Sequence, residues 1–227
     1  MDSQGHFIVI DGTDGSGKAT QSRLLIEAIK KSGQLVELIS FPQYGTKSAG
    51  PVEELLSGKY GSANELGPKA ASILFAVDRF DASSKIKAWL ANGRIVIADR
   101  YVGSNMGHQG SKIEDPVERA KFFDWDMELE HELFGIPRPT INVILHVPAA
   151  TAQKLAQDNV SKHGLKQDIY EQDLQHLMRA ETAYMDLTKR FNTFRLVECM
   201  EHGTLLSPER IHERVWSIVQ PHLNPTP

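Results

Sequence analysis

Short apolar runs alternate along the chain with longer stretches in which apolar residues recur at helical spacing. The runs are rich in isoleucine, valine and leucine, and glycine, proline or aspartate follows most of them. Such runs are typical of strands that are buried on both faces of a sheet. We therefore predict strands at residues 7–10, 35–39, 94–98, 141–147 and 194–197.

The intervening periodicity predicts helices. One helix follows the first strand and ends at Gly33. The others are predicted at residues 66–90, 115–134, 169–191 and 208–219. Strands that are separated by helices form a parallel sheet covered on both faces. We therefore predict one α/β domain over residues 1–227, with ligands bound beyond the carboxyl ends of the strands.

Composition argues against disordered and polyanion-binding classes of protein. Hydrophobic residues make up 41% and charged residues 24% of the 227 residues, which is ordinary globular usage. With 25 Lys and Arg against 29 Asp and Glu, the formal net charge is −4, whereas a broad surface for nucleic acid or anionic membrane is usually basic. We therefore expect a local site for a small anionic ligand, with neither nucleic acid nor a membrane as partner.

Cysteine usage and the N-terminal pattern bear on location. Cys199 is the only cysteine, so no internal disulfide forms. This cysteine usage is most simply consistent with a reducing compartment. The first apolar run has no basic segment before it and is too short for a signal peptide or a membrane span. We expect a cytoplasmic protein.

Residues 12–18, GTDGSGK, fit the phosphate-binding pattern G-x-x-x-x-G-K between a predicted strand and a helix. Glycines let backbone N–H groups converge on phosphate oxygens, and Lys18 adds a cation for the β- and γ-phosphates. Ala19 replaces the hydroxyl residue that normally helps hold Mg²⁺, while Thr20 offers a hydroxyl to an α-phosphate. A glycine-rich turn without function is the alternative. The residues predicted to bind the phosphates are Gly12, Asp14, Gly15, Ser16, Gly17, Lys18, Ala19 and Thr20.

Asp99 and Arg100 follow the predicted third strand, so they reach the same sheet edge as the phosphate loop. A carboxylate there orients Mg²⁺ directly or through water, and a guanidinium spans phosphate oxygens of donor and acceptor. A strand-end salt bridge is the alternative for this pair taken alone. Beside a phosphate loop, we predict a catalytic role for both residues.

Six segments occur in order along most of the chain. They are FIVIDGTDGSGKATQ at 7–21, FPQYG at 41–45, LFAVDRF at 74–80, DRYVGSNMGHQG at 99–110, GIPRPTINVILHV at 135–147 and DIYEQD at 168–173. Together they resemble the thymidylate kinases, a family of P-loop nucleoside monophosphate kinases. The resemblance implies a P-loop NTPase-type three-layer fold with a five-stranded parallel sheet and a short lid at about 157–167. It further implies transfer of the γ-phosphoryl group of ATP to dTMP with Mg²⁺, by a homodimer that is formed through helical residues 75–90 and 120–133.

The resemblance also implies roles for individual side chains. Phe75 would stack on the thymine ring, Arg79 would donate to its O4, and Asn105 would meet its N3 edge. Cytosine would present a donor amine to the guanidinium, so such a site rejects it. Tyr44 is implied at the acceptor phosphate, and His108 either near the sugar C2′ or as an ordinary surface histidine. The other implied substrate-binding residues are Asp14, Arg100, Gln109 and Tyr170.

The catalytic and metal-binding sets overlap. The implied catalytic residues are Lys18, Arg100, Asp99, Asp14 and Glu171. The implied metal ligands are Asp99, Asp14 and Glu171. For Tyr170 and Glu171, the alternative is an exposed helix start that is capped by Asp168.

Departures from the family pattern leave alternatives open. Gln43 stands where relatives often carry arginine, and Gly15 where some carry a catalytic arginine. The lid contains Lys162, His163 and Lys166 but no arginine, so its lysines are either catalytic or simply solvated. The alternatives are a kinase for another nucleoside monophosphate or a deoxynucleoside, and a catalytically inactive nucleotide-binding module.

Overall fold

The computed structural model describes residues 5–62, 65–163 and 174–223, with the side chains of 159–163 excepted. The strands are β1 Phe7–Gly12, β2 Val36–Ser40, β3 Ile95–Asp99, β4 Ile141–His146, β5 Phe194–Glu198, β6 Met200–Glu201 and β7 Thr204–Leu205. The helices are α1 Lys18–Lys31, α2 Gly50–Leu56, α3 Pro68–Ala91, α4 Val102–Gly110, α5 Pro116–Met127, α6 Ala149–His163, α7 Leu174–Arg190 and α8 Pro208–Leu223. A π-helical turn, Glu128–Leu133, continues α5.

The first five strands form one parallel sheet in the order β2-β3-β1-β4-β5. Ile10 of β1 lies opposite Asp99 of β3 on one side and Val143 of β4 on the other. The carboxyl ends of β1 and β3 therefore lie side by side. The phosphate loop follows the first of these strands and Arg100 follows the second, so the topology brings the two predicted phosphate-binding segments to one edge.

Helices cover both faces of the sheet. Phe7 and Val9 of β1 pack in an apolar cluster with residues of α3, α4, α5 and α7. Ile8 and Ile10 point to the opposite face, where they pack with residues of α1 and α8. The alternation places one apolar cluster on each side of the sheet, so the predicted three-layer α/β fold is confirmed. None of the described helices has the length and apolar content that a bilayer span requires.

Several helical features differ from the sequence-based prediction. Helices α2, α4 and α6 are not among the predicted helices. All nine residues of α4 are buried, so no polar face marks the helical period. The helix predicted at 115–134 consists of α5 and the π-helical turn. Residues 157–163 of the predicted lid belong to α6, and residues 164–167 lie outside the described residues.

Candidate active site

The phosphate loop connects β1 directly to α1. Gly15 and Gly17 adopt φ angles of 81° and 90°, which L side chains rarely adopt. A Cβ on Gly15 would also meet the backbone carbonyl of Ala152 in α6. Position 15 therefore has no space for a larger side chain, which accounts for glycine where some relatives carry arginine.

The loop offers unused polar groups to a ligand. The hydroxyl groups of Thr13 and Ser16 are buried and have no hydrogen-bond partner within the described part of the chain. The first turn of α1 carries no acidic residue, so the positive end of the helix dipole is not offset there. Buried polar groups normally have partners. The loop therefore suits a bound anion such as a polyphosphate.

Two cations meet at Asp14 within this loop. Lys18 Nζ donates to the carbonyl oxygen of Thr13 at 2.9 Å and lies 3.7 Å from Asp14 Oδ1. Arg100 forms an ion pair with the same Asp14 oxygen. Arg100 itself has a φ of 68°, a backbone conformation that is uncommon outside glycine and often found at functional sites. Asp14 thus holds an ammonium and a guanidinium close together at the edge of the sheet.

Asp99 lies beside these cations at the end of β3. Burial raises the pKa of its carboxyl group, the charge of Lys18 opposes that rise, and the charge of Asp11 adds to it. No group of three or more His, Cys, Asp or Glu residues among the described residues is arranged to hold a metal ion. Mg²⁺ usually binds through one or two carboxylates together with phosphate oxygens and water. Asp14 and Asp99 would suit that mode, with phosphate oxygens of a bound nucleotide as further ligands.

A cavity of about 260 Å³ is lined by Asp14, Arg100 and residues of α3 and α4. Phe75, which is half-buried on α3, lines it together with Arg79 one helical turn further on. The cavity brings together eight of the residues predicted to bind substrate. They are Asp14, Tyr44, Phe75, Arg79, Arg100, Asn105, His108 and Gln109.

Arg79 and Asn105 are each held by a buried carboxylate. Arg79 Nε donates to Glu130 Oε2 at 2.7 Å, and Arg79 Nη2 pairs with Oε1 of the same carboxylate. Asn105 Nδ2 donates to Asp126 Oδ1 at 3.0 Å and to Oδ2 at 3.1 Å. The buried Oδ1 of Asn105 has no partner among the described residues. The site therefore contains a fixed guanidinium donor and a fixed amide acceptor.

The segment FPQYG lies at the mouth of this cavity. Its Phe41–Pro42 peptide bond is cis. Gln43 does not line the cavity: its backbone N–H donates to the Asp78 carboxylate at 2.8 Å, and its side-chain amide donates to the Asp78 carbonyl oxygen at 3.0 Å. Tyr44 is exposed and lines the cavity. Gln43 therefore ties the segment to α3 and leaves Tyr44 facing the ligand space.

His108 is buried between α4 and α7, so the alternative of a surface histidine is wrong. Its Nδ1 lies 3.3 Å from His176 Nε2, and the two rings are stacked. Burial lowers the pKa of His108 well below its usual value, and the nearby charge of Arg100 lowers it further. His108 is therefore a neutral residue in the wall of the cavity.

A sequence model of one enzyme family, described as thymidylate kinase, matches residues 10–202. The chain belongs to the thymidylate kinase family. The thymidylate kinase of Mycobacterium tuberculosis strain H37Rv is 31% identical over 183 residues, which are 80% of this chain and 85% of that protein. The probable thymidylate kinase of Thermococcus onnurineus is 32% identical over 223 residues, 96% of this chain and 98% of the relative. The structure of the Candida albicans thymidylate kinase shares the fold, with a TM-score of 0.73, 22% identity and coverage of 98% and 94%.

Membership of the thymidylate kinase family confirms the family resemblance and, with it, the prediction of a phosphotransferase. Two residues of the predicted site, Tyr170 and Glu171, lie outside the described residues, as does Lys166 of the lid. The side chains of Lys162 and His163 likewise fall outside the described part. Ala19 is exposed at the start of α1, and Thr20 beside it is half-buried.

Sequence reasoning missed a second layer of polar residues in this thymidylate kinase family member. Asp11, at the end of β1, accepts a hydrogen bond from Ser104 Oγ at 2.5 Å and one from the Tyr101 N–H at 3.3 Å. The Tyr184 hydroxyl lies 3.3 Å from the Gly12 carbonyl oxygen and 3.2 Å from Ser104 Oγ. These groups link the phosphate loop to α4 and α7. An aspartate at the end of an apolar strand was the one available signal.

Proposed function

We propose that this chain transfers the γ-phosphoryl group of ATP to dTMP and releases dTDP and ADP. The observation that carries the proposal is one cavity with two different ends. Arg100 lines it beside the phosphate loop, where Lys18 lies 3.7 Å from Asp14 Oδ1, and Arg79 and Asn105 line it from α3 and α4. A nucleoside monophosphate that lies in this cavity has its phosphate at the cations and its base at the donor–acceptor pair.

The polarity of the base end favours thymine. Thymine presents an acceptor at O4 and a donor at N3, which complement the Arg79 guanidinium and the Asn105 Oδ1. Cytosine presents an amine and an unprotonated N3, so a donor would face a donor and an acceptor would face an acceptor. A site built on such hydrogen bonds discriminates by about 10⁴- to 10⁵-fold against an analogue that leaves buried groups unpaired. Uracil lacks one methyl group, so kcat/KM with dUMP should be about 10- to 200-fold lower than with dTMP.

The phosphate end provides charge cancellation and alignment. Lys18 and Arg100 neutralise the phosphates of donor and acceptor, and Asp14 holds both cations in place. Asp99 and Asp14, with Glu171 as a further proposed ligand, would hold Mg²⁺, which would supply positive charge against the charge that develops on the transferred group. The acceptor phosphate is already anionic, so no strong general base is needed. The lid at about residues 157–167 is proposed to exclude water on closure.

The acceptor preference tests the proposal directly. ADP release would be measured with ATP and each of dTMP, dUMP, dCMP, UMP and thymidine. We expect the highest kcat/KM with dTMP, a lower value with dUMP, and negligible turnover with dCMP. Best turnover on dCMP would contradict the roles of Arg79 and Asn105. Binding of dTMP and ATP in calorimetry with no turnover at any Mg²⁺ concentration would instead indicate the inactive module that Ala19 raises as an alternative.

We also propose that one domain, residues 1–227, forms a cytoplasmic homodimer. Ile73, Val77 and Phe80 lie on one stripe of α3 and are 42%, 40% and 53% exposed. Such contiguous apolar surface marks an interaction site. Phe80→Glu should therefore convert the dimer to a monomer in light scattering, whereas Val117→Glu, at an apolar residue that is exposed outside the stripe, should leave it dimeric.

A further inference from the structure

Two carboxylates lie buried behind the base end of the cavity. Asp126 is the penultimate residue of α5, and Glu130 belongs to the π-helical turn that follows. Both side chains are fully shielded from solvent. Neither lines the cavity nor contacts the phosphate end. Buried carboxylates are costly unless they are hydrogen-bonded, so their presence here calls for a specific partner.

We infer that Asp126 and Glu130 are positioning residues that fix the hydrogen-bond polarity of the base site. Glu130 holds the Arg79 guanidinium as the donor, and Asp126 holds the Asn105 amide with its oxygen as the acceptor. This inference rests on the proposed dTMP kinase function, and it assigns to these two residues the selectivity for thymine over cytosine.

The contact with Glu130 fixes the plane of the Arg79 guanidinium. Two parallel hydrogen bonds join the carboxylate to Nε and Nη2 of Arg79. A bidentate pair fixes both the position and the rotation of a guanidinium. The remaining N–H groups of Arg79 are therefore aimed by Glu130. Glu130 also keeps the arginine charged. Burial lowers the pKa of Arg79, but the charge and hydrogen bonds of Glu130 have the larger effect, so the pKa is raised.

The contact with Asp126 fixes which way the Asn105 amide is turned. An asparagine side chain can present either oxygen or nitrogen to a ligand, depending on which way the amide is turned. Both Asp126 oxygens face Asn105 Nδ2, at 3.0 and 3.1 Å. Ionised or not, a carboxyl group has at least one oxygen without a proton, and that oxygen can only accept, so it pairs with the amide nitrogen. The amide oxygen is then the atom that is left for the ligand, in agreement with its lack of a partner among the described residues.

The π-helical turn contributes to this arrangement. A π-helical turn widens the helix by one residue, and such turns are frequent at functional sites. Here the turn contains Glu130, which is 51 positions from Arg79 in the chain. The turn thus places a carboxylate of one helical segment against a guanidinium of α3.

Selectivity ratios would test the inference. The variants are Glu130→Gln, which replaces one acceptor oxygen by an amide N–H that faces the guanidinium, and Asp126→Leu, which removes both acceptors. Asp126→Asn tests rescue, because its amide oxygen can still accept from Asn105. Glu132→Gln and Asp124→Asn are matched controls, since both residues are exposed on the same segments. For each variant, kcat and KM would be measured with dTMP, dCMP and ATP.

We expect KM for dTMP to rise about tenfold or more in Glu130→Gln, with KM for ATP and kcat little changed. The ratio of kcat/KM for dTMP over dCMP should fall about tenfold or more in Asp126→Leu. Asp126→Asn should retain most of that ratio, and both controls should match the wild type. Unfolding curves would identify any variant that has lost its structure. Glu130→Gln conserves side-chain volume, so it provides the comparison independently of whether Asp126→Leu folds.

Failure of the proposed function and failure of the inference about Asp126 and Glu130 give different results. A wild-type protein that does not phosphorylate dTMP would overturn the proposed function, whatever the variants do. An active wild type with an unchanged dTMP-to-dCMP ratio and unchanged KM for dTMP in the folded variants would overturn the inference alone. Equal losses with dTMP and ATP would also overturn it, because they would show a general structural role.

Discussion

Replacing Arg79 by leucine would measure the energy that is held in the ion pair behind the base site. The side chains of Arg79 and Glu130 are 3% and 0% exposed, so solvent does not screen the pair. Removing one partner of a buried pair costs about 3–5 kcal/mol, because the other charge stays buried without compensation. Arg79→Leu should therefore lower the free energy of unfolding by about 3–5 kcal/mol. Exposed pairs such as Arg138 with Glu132 are worth only about 0–1 kcal/mol.

A double-variant cycle separates this energy from loss of packing. Glu130→Leu alone should also destabilise the protein, since it leaves the guanidinium buried without its carboxylate. The combined Arg79→Leu and Glu130→Leu variant should recover most of the loss, because apolar residues of similar volume often replace a buried pair without cost. Urea unfolding followed by circular dichroism provides the free energies. Arg138→Leu is the matched surface control.

The same variant tests the role of Arg79 in binding. Loss of a hydrogen bond from a charged group should reduce kcat/KM for dTMP by about 10- to 150-fold. ATP binding, measured by calorimetry, should be nearly unchanged, because Arg79 pairs with Glu130 and not with a residue of the phosphate loop. If Arg79→Leu lowered the free energy of unfolding by under about 1 kcal/mol and kept the wild-type kcat/KM for dTMP, both the energetic and the functional argument would be refuted.

Three further predictions concern the phosphate loop and pH. Lys18→Met should reduce kcat by about 10²-fold or more in an ADP-release assay, since it removes a cation from the reacting phosphates. Gly15→Ala should weaken ATP binding in calorimetry and spare dTMP binding, because the φ of 81° and the Ala152 carbonyl leave no space for a Cβ. Burial lowers the pKa of His131 from 6.5 to about 4, so the unfolded chain binds a proton that the folded chain excludes in this range. Stability should therefore fall by about 3 kcal/mol as pH decreases through that window, and His131→Gln should remove this part of the pH dependence in urea unfolding.

The sequence predicts those parts of the fold and site that are recorded in local patterns. The five sheet strands are predictable because they are apolar and are interrupted by glycine, proline or aspartate. The phosphate loop is predictable because its glycines and Lys18 are contiguous. Helix α4 escapes prediction, since it is buried on all sides and therefore shows no amphipathic period.

Contacts between residues that are far apart in the sequence cannot be predicted from local patterns. Glu130 is 51 positions from Arg79, and Asp126 is 21 positions from Asn105. In the sequence both carboxylates lie in an acidic stretch, DMELEHE, that resembles an exposed helix face. Only the packing of α5 against α3 and α4 shows that these two carboxylates point inward and their neighbours Asp124 and Glu132 outward.

The two ends of the cavity use ion pairs of different kinds, and the difference matches their tasks. At the base end, the pair of Arg79 with Glu130 is bidentate and sealed from water, so it changes little when a neutral base arrives. At the phosphate end, Arg100 and Asp14 are 22% and 11% exposed, and Lys18 lies a loose 3.7 Å from Asp14. The two cations share one carboxylate oxygen there, so phosphate oxygens can replace it as the partner of either cation. Rigid pairing therefore serves recognition of the base, and exchangeable pairing serves the movement of a charged group between two nucleotides.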